Sequence, residues 1–472
     1  MTGLLRVLAA GVIVGLAGEA HAQTAATNPL SSDEVLTSVS RALPLLERAR
    51  QEVALARGEA LESQGAFDLK LKSETLSVRG YYDNDRTKTV LEQPLAALGL
   101  TTFGGYRSGT GTFAAYDTKA QTLSSGEVTA GFSLPLLRDR ATDARRAERQ
   151  SAALGIDVAE RGLDKARLTY FKEALGEYWD WAAAGQQRRI AQALLDIAEA
   201  RDQQLADAVG LGQVAPVERT DNRRAILQRR SALATAQRQI EQQAIDLSLY
   251  LRGLDGRPVR PALDRLPPLP RPAPMTEADE AAQIQYALGH RPELAALRVK
   301  REQQEVDLRL AQNSLLPSVD LFSQVSRDFG TGPQSRVAST FEGGITFVLP
   351  LQRRKASGKS LQVQAKLSSI DQELRWTEDR VRADVQDALS ALRAARAVLD
   401  VVTEEVVVAR ELEALERDRF TLGDSTQFLV NLRELATADA ALREARALAD
   451  YQKALVSVDS ATGRLLERAP TP

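Results

Sequence analysis

The chain has 472 residues, with 61 Lys+Arg against 63 Asp+Glu, a net charge of −2, no cysteine, two histidines and 5% aromatics. The charge balance argues against nucleic acid as a partner, because phosphate binding needs a basic excess or stripe. The missing cysteines exclude disulfides, thiolate nucleophiles, Cys-ligated metals and N-terminal Cys lipidation, and so few histidines exclude a multi-His metal site.

Residues 1–22 carry one basic residue (Arg6), an apolar run from Val7 to Ala17 and the small-x-small ending Ala20-His21-Ala22. This is a secretory signal peptide, because the run is shorter than the roughly 20 residues of a helical membrane span. After it the pattern predicts a helix over 31–62, a strand over 64–82, a loop over 83–124 and a strand over 125–137. Long helices follow over 138–209 and 216–252. Residues 254–275 hold Pro258, Pro261, Pro267, Pro268, Pro270, Pro272 and Pro274 and form an extended connector, since such a run suits neither helix nor central strand. The sequence then repeats itself: a helix over 277–313, strands over 316–328 and 339–351, and helices over 353–421 and 425–465, with a short tail over 467–472.

The repetition is also visible residue by residue. Leu134-Pro135-Leu136 and Leu349-Pro350-Leu351 each close an alternating strand, and Leu211-Gly212 and Leu422-Gly423 each separate a long helix from a shorter one. The chain is therefore read as a tandem duplication, with repeats over 23–253 and 276–466. In each repeat a middle helix of roughly 70 residues spans about 105 Å at 1.5 Å per residue. The shorter helices before and after it together match that length, so each repeat is an elongated array and not a globule.

The strands carry the membrane argument. Val128, Ala130, Phe132 and Leu134 alternate with Thr129, Gly131 and Ser133. Phe341, Ile345, Phe347 and Leu349 alternate with Glu342, Thr346 and Pro350. Each strand has one apolar face and the length a tilted strand needs to cross a bilayer. Phe132, Leu134, Phe347 and Leu349 are thus expected to face lipid. Near Leu76 and Val78 the alternation of the first strand changes parity, which a bulge or the start of the loop would produce. Four strands cannot close a barrel, and open edges cannot stay in hydrocarbon. The barrel must then close between subunits, with eight strands from two chains or twelve from three.

The chain resembles the TolC-type outer-membrane channels, the outer-membrane efflux proteins. The resemblance rests on Arg291-Pro292-Glu293-Leu294, on Leu315-Leu316-Pro317-Ser318-Val319, on the two Leu-Pro-Leu strand ends, and on Phe420 to Ser425 with Leu429 to Glu434. It implies a mainly α chain with a small β part, built of tandem helix–hairpin–long helix–helix units. It implies a homotrimer with a 12-stranded barrel in the outer membrane, four strands per chain, above a helical barrel in the periplasm. Such a protein is the exit duct of a tripartite efflux pump or type I secretion system. Its partners are outer-membrane lipid, a periplasmic adaptor (membrane fusion) protein and, indirectly, an inner-membrane transporter. The family places gate and adaptor contacts at the far helical turns, here Gly212, Glu218, Gly423, Asp424 and Ser425. Some relatives carry inward aspartates after the second turn, where this chain has Leu429 and Leu432. An apolar constriction is therefore expected in place of an ionic one, with Glu218 and Asp424 as the polar candidates. The remaining readings are a periplasmic coiled-coil adaptor and an envelope scaffold. No nucleophile–base set, phosphate loop, cofactor site or metal site suggests an enzyme.

Overall fold

A computed structural model describes residues 28–272 and 279–468. The signal peptide, part of the connector and the last four residues lie outside the described residues. The first repeat holds α1 (Ser32–Ala42), α2 (Pro44–Gln64), β1 (Lys70–Val78), β2 (Asn84–Pro94), β3 (Thr101–Gly111), β4 (Glu127–Pro135), α3 (Ala144–Gly210) and α4 (Pro216–Ser248). The second holds α5 (Glu280–His290), α6 (Pro292–Asn313), β5 (Ser318–Asp328), β6 (Thr340–Val348), α7 (Arg354–Thr421) and α8 (Gln427–Thr462).

The first helix of each repeat is split in two, where the sequence pattern predicts one continuous helix. The breaks fall at Leu43-Pro44 and Arg291-Pro292, with each proline at the first position of the second segment. Proline lacks the N–H an interior turn requires and pushes the preceding residue into extended backbone, and Leu43 and Arg291 have ψ of 120° and 122°. Arg291 then fastens the second break: its guanidinium donates to the carbonyls of Ser460 and Ala461 on α8 at 3.3 and 3.1 Å and pairs with Asp384 of α7 at 3.3 Å.

The long helices α3 and α7 have 67 and 68 residues, about 100 Å each. Helix α3 packs against both α2 and α4, α7 packs against both α6 and α8, and α3 also meets α6 and α8 across the repeats. Two matching cores hold the bundle. In one, Val35, Leu36, Leu46, Phe171, Leu175, Trp181, Ile240 and Leu247 are buried together. In the other, Leu294, Val381, Val385, Leu389, Leu392 and Tyr451 are. Burial of these faces is what makes helices of this length stable in one arrangement.

The strands correct the count read from the sequence. They form one six-stranded antiparallel sheet in the order β1-β2-β3-β4-β5-β6, so each chain contributes six strands and not four. The extra hairpin, β2–β3, occupies the segment expected to be a loop. It lies between β1 and β4, paired with β1 over all nine β1 residues and with β4 over Thr101 to Arg107, as from Lys70↔Glu92 through Glu92↔Phe103 to Phe103↔Gly131. On the side it shares with Phe132 it carries Thr87, Thr89, Thr102 and Gly104, with Leu91 and Tyr106 as its two large apolar residues, so it lacks the Val/Phe alternation that marks the other strands. Pairing of β1 with β2 is continuous through Leu76↔Arg86 and Val78↔Asn84, so no bulge causes the parity change there.

Phe171 is fully buried among α1, α3 and α4 residues. Phe171→Ala should lower stability by about 3–5 kcal/mol through lost transfer energy and the cavity left behind. The loss of helical circular dichroism on heating measures it as a lower midpoint.

Candidate functional site: the two-faced sheet and the helical tips

Residues paired across an antiparallel sheet point the same way, so the register assigns every side chain to a face. One face carries Lys70, Lys72, Glu74, Arg86, Lys88, Glu92, Arg107, Glu127, Asp320, Gln324, Asp328 and Glu342. The other carries Leu71, Leu91, Tyr106, Val128, Phe132, Leu134, Leu321, Val325, Phe341, Ile345 and Phe347, with charge only at Asp85 and Arg327 near the loop end. This second face has no protein cover: Phe341, Ile345 and Phe347 are 72%, 66% and 61% exposed. Phe132 and Leu134 lie on the same face and are half-buried, while Leu349 falls one residue beyond β6.

Ion pairs stitch the charged face across neighbouring strands. Lys72 pairs with Glu92, and Arg107 with the buried Glu127. At the loop end the segment after β3 folds back over this face. Arg86 pairs with Asp117, and the segment passes so close that a Cβ on Gly109 would lie 2.0 Å from the Ala120 carbonyl oxygen.

At the opposite end, α3–α4 and α7–α8 make two turns of the same construction. In the first, Leu211 N–H donates to Asp207 O, Gly212 N–H to Val209 O and Gln213 N–H to Ala208 O, at 2.9–3.1 Å. In the second, Leu422, Gly423 and Asp424 donate to Asp418, Phe420 and Arg419 in the same range. Gly212 and Gly423 have φ of +70° and +84°, the left-handed closure that only glycine adopts cheaply. Glu218 is half-buried in the first turn of α4, behind Pro216. Ser425 donates to the buried Glu416, which also faces Arg419 and Arg433 at 3.8 and 3.7 Å. Asp424 is exposed.

The tip residues at the start of α8 separate in the structure. Leu429 is half-buried, whereas Leu432 is 47% exposed. Leu432 shares an exposed apolar stripe with Phe428 and Leu435, at spacings of four and three. Beneath it lies a feature the sequence reading missed. The Glu434 carboxylate, 1% exposed, is reached by Arg201 of α3, Arg229 of α4 at 3.0 Å and Arg417 of α7 at 3.1 Å. Arg201 also donates to Asn431, and Arg229 to the Leu194 carbonyl at 2.7 Å. All four tip helices thus meet on one carboxylate. Burial alone would push its pKa up, but the Arg201 and Arg229 guanidiniums outweigh this and hold it below the usual carboxylate range. No local motif reveals the cluster, because Arg201 and Arg229 each lie more than 200 residues before Glu434 in the chain.

Among the described residues there is no cluster of three His, Cys, Asp or Glu side chains placed to hold a metal. Nor, among them, is any helix long and apolar enough to cross a membrane.

Residues 283–464 match the family model described as outer membrane efflux protein. Solved structures match over nearly the whole chain. The open state of the MtrE outer membrane channel of Neisseria gonorrhoeae is 16% identical, with TM-score 0.65 and coverage of 93% of this chain and 91% of that one. The outer membrane protein VceC of Vibrio cholerae is 16% identical (TM-score 0.62; 92% and 96%), and the CmeC outer membrane channel of Campylobacter jejuni 13% (TM-score 0.62; 93% and 90%). No curated protein matches the sequence. The likeness to these structures is one of fold.

Removing the Glu434 charge leaves buried guanidiniums facing a neutral group, so Glu434→Gln should cost about 3–5 kcal/mol locally. Amide exchange over the tip helices, corrected for intrinsic rates, should rise accordingly. Because the folded-state pKa is depressed, the stabilisation is complete above the unfolded value of roughly 4.3 and is lost only as pH falls through the lower folded value. Tip protection in the native protein should therefore be equal at pH 7 and pH 5.5.

Proposed function

We propose that this chain, a TolC-type outer-membrane efflux protein, forms the trimeric exit duct of a tripartite export assembly. The observation that carries the reading is the two-faced sheet: one uncovered apolar face, one charged face and two unpaired edges, set at the end of helices about 100 Å long. Unpaired edges and uncovered apolar area suit a bilayer only when neighbouring subunits close the sheet. The charged face then lines a water-filled lumen, and Phe132, Leu134, Phe347 and Leu349 border lipid.

The duct is passive. Its periplasmic end consists of the Gly212 and Gly423 turns, which present Leu211, Val217 and Leu422 to solvent. These apolar knobs, with Glu218, Asp424 and Ser425 beside them, are the surface for a periplasmic adaptor, through which an inner-membrane transporter is coupled. In the resting state the stripe around Leu432 narrows the pore as an apolar ring, which blocks ions by dewetting. The Glu434 cluster locks α3 and α4 to α7 and α8, so the two hairpins of a chain splay as a unit when the adaptor binds.

Two measurements test this. Native mass in mild detergent should give three chains, and the purified protein should form channels in planar bilayers. Phe428→Ser with Leu432→Ser should raise resting conductance several-fold without dissociating the trimer. Leu429→Ser, on the half-buried side, should lower stability more than it raises conductance. Unchanged conductance in the double variant moves the constriction to the polar tip residues.

The lipid assignment has its own check. Phe347→Arg puts a charge on the apolar face at a cost of roughly 2–4 kcal/mol at mid-bilayer, less toward an interface. It should reduce the amount of heat-resistant trimer in outer membranes, whereas Thr346→Arg, on the charged face, should be tolerated. Equal loss from both would refute the assignment of faces.

A further inference from the structure

We propose that the outer-membrane wall of this duct has eighteen strands, because β2–β3 is a full member of the barrel and β6 of one chain pairs with β1 of the next. The inference rests on the trimeric reading above and adds what each chain contributes to it.

Three observations place the extra hairpin inside the wall. First, its height: β2 pairs with β1 over all nine β1 residues, and β3 pairs with β4 from Thr101↔Ser133 to Arg107↔Glu127. A hairpin lying in a loop outside the membrane would not run alongside both neighbours. Second, its chemistry: Arg86, Lys88, Glu92 and Arg107 all fall on the charged face, and Lys72–Glu92 and Arg107–Glu127 cross the two seams that join the hairpin to β1 and β4. Its other face is uncharged below Asp85. Third, its anchoring: the turn between β2 and β3 returns to the helical end of the sheet. There Leu95 N–H donates to Leu100 O at 2.7 Å, and Gln93 donates to the Phe67 carbonyl at 2.6 Å where α2 gives way to β1. Gly99 lies against the Asp139 carbonyl, to which Arg146 at the start of α3 donates at 2.5 Å.

The edges fit the same closure. β1 and β6 are the two outer strands and each has nine residues. Five antiparallel pairings separate them, so they run in opposite directions and meet antiparallel when chains are set side by side. Leu71 at one edge and Phe341, Ile345 and Phe347 at the other lie on one face, so closure continues a single apolar belt.

The dimensions agree. With strands about 4.8 Å apart and tilted by roughly 35–45°, eighteen close on roughly 105–120 Å of circumference and twelve on roughly 70–80 Å. Next to the sheet each chain supplies four helix widths, α2, α3, α6 and α7. Twelve such widths at roughly 8–10 Å occupy about 95–120 Å. The extra hairpin thus keeps the membrane section as wide as the helical duct, about 1.5-fold wider than a twelve-stranded barrel. This is an exit for cargo that the helical barrel admits and a narrower ring would stop.

The natural absence of cysteine makes the test direct. Paired cysteines are introduced on the lumen face of the full-length protein and oxidised in isolated outer membranes. Lys72→Cys with Val90→Cys, and Thr101→Cys with Ser133→Cys, should form bonds within one chain. Lys72→Cys combined in turn with Glu342→Cys, Gly344→Cys or Thr346→Cys should join chains into dimers and trimers in at least one register. Lys70→Cys, Lys72→Cys or Glu74→Cys with Thr129→Cys should not react, because three strand spacings, roughly 14 Å, exceed the roughly 7 Å limit between bridged Cα atoms. A bond between β1 and β4 within an intact trimer means that the hairpin lies outside a twelve-stranded wall and overturns the inference alone. Native mass showing no trimer, with no link between chains, overturns the reading on which it rests.

Discussion

A backbone amide or carbonyl in hydrocarbon has to be paired inside the protein, and this one requirement organises the molecule. Within a chain, five antiparallel ladders join the six strands and leave the outer edges of β1 and β6 unpaired. Those two edges are what the proposed closure between chains would pair, making the sheet one sector of a cylinder. The alternation of faces follows, because a sector of a water-filled cylinder meets lipid on one side and solvent on the other. Next to the sheet α2, α3, α6 and α7 pack side by side in that order, and in the proposed duct they continue the wall.

The far end obeys the opposite economy. There the buried carboxylate of Glu434 gathers three guanidiniums from three helices. A buried ion pair adds little net stability compared with an apolar packing of the same shape, but breaking one partner is costly. Such a cluster therefore favours one arrangement of the four helices over nearby alternatives. It suits an element that must hold firm and then move as a body.

Legibility in the sequence followed the strength of local periodicity. The long helices, the Gly212 and Gly423 turns and strands β4 and β6 were readable, because heptad spacing, helix-ending glycines and Val/Phe alternation are local signals. Strands β2 and β3 were not. Thr87, Thr89, Thr102 and Gly104 put small uncharged residues on the apolar face but offer no apolar rhythm. Pro44 and Pro292 were visible but their effect was passed over, since the flanking helical pattern continues across both. The tip was only partly legible. Leu429 and Leu432 lie three apart, yet the structure half-buries one and exposes the other, and Glu434 meets Arg201 and Arg229 only through folding, since no spacing rule connects residues so far apart.

The duplication has a consequence at the periplasmic end. Because both turns of a chain share one hydrogen-bond scheme, the proposed trimer would display six near-equivalent knobs around its axis, a pseudo-sixfold ring on a threefold body. The equivalence stops at the side chains. The second turn is braced by Ser425, Glu416 and Arg433, whereas the first has Pro216 and Glu218 in the corresponding place. A ring of six identical partner subunits would therefore meet two alternating environments. Its members would engage as three pairs, with unequal affinities built in by sequence divergence between the repeats.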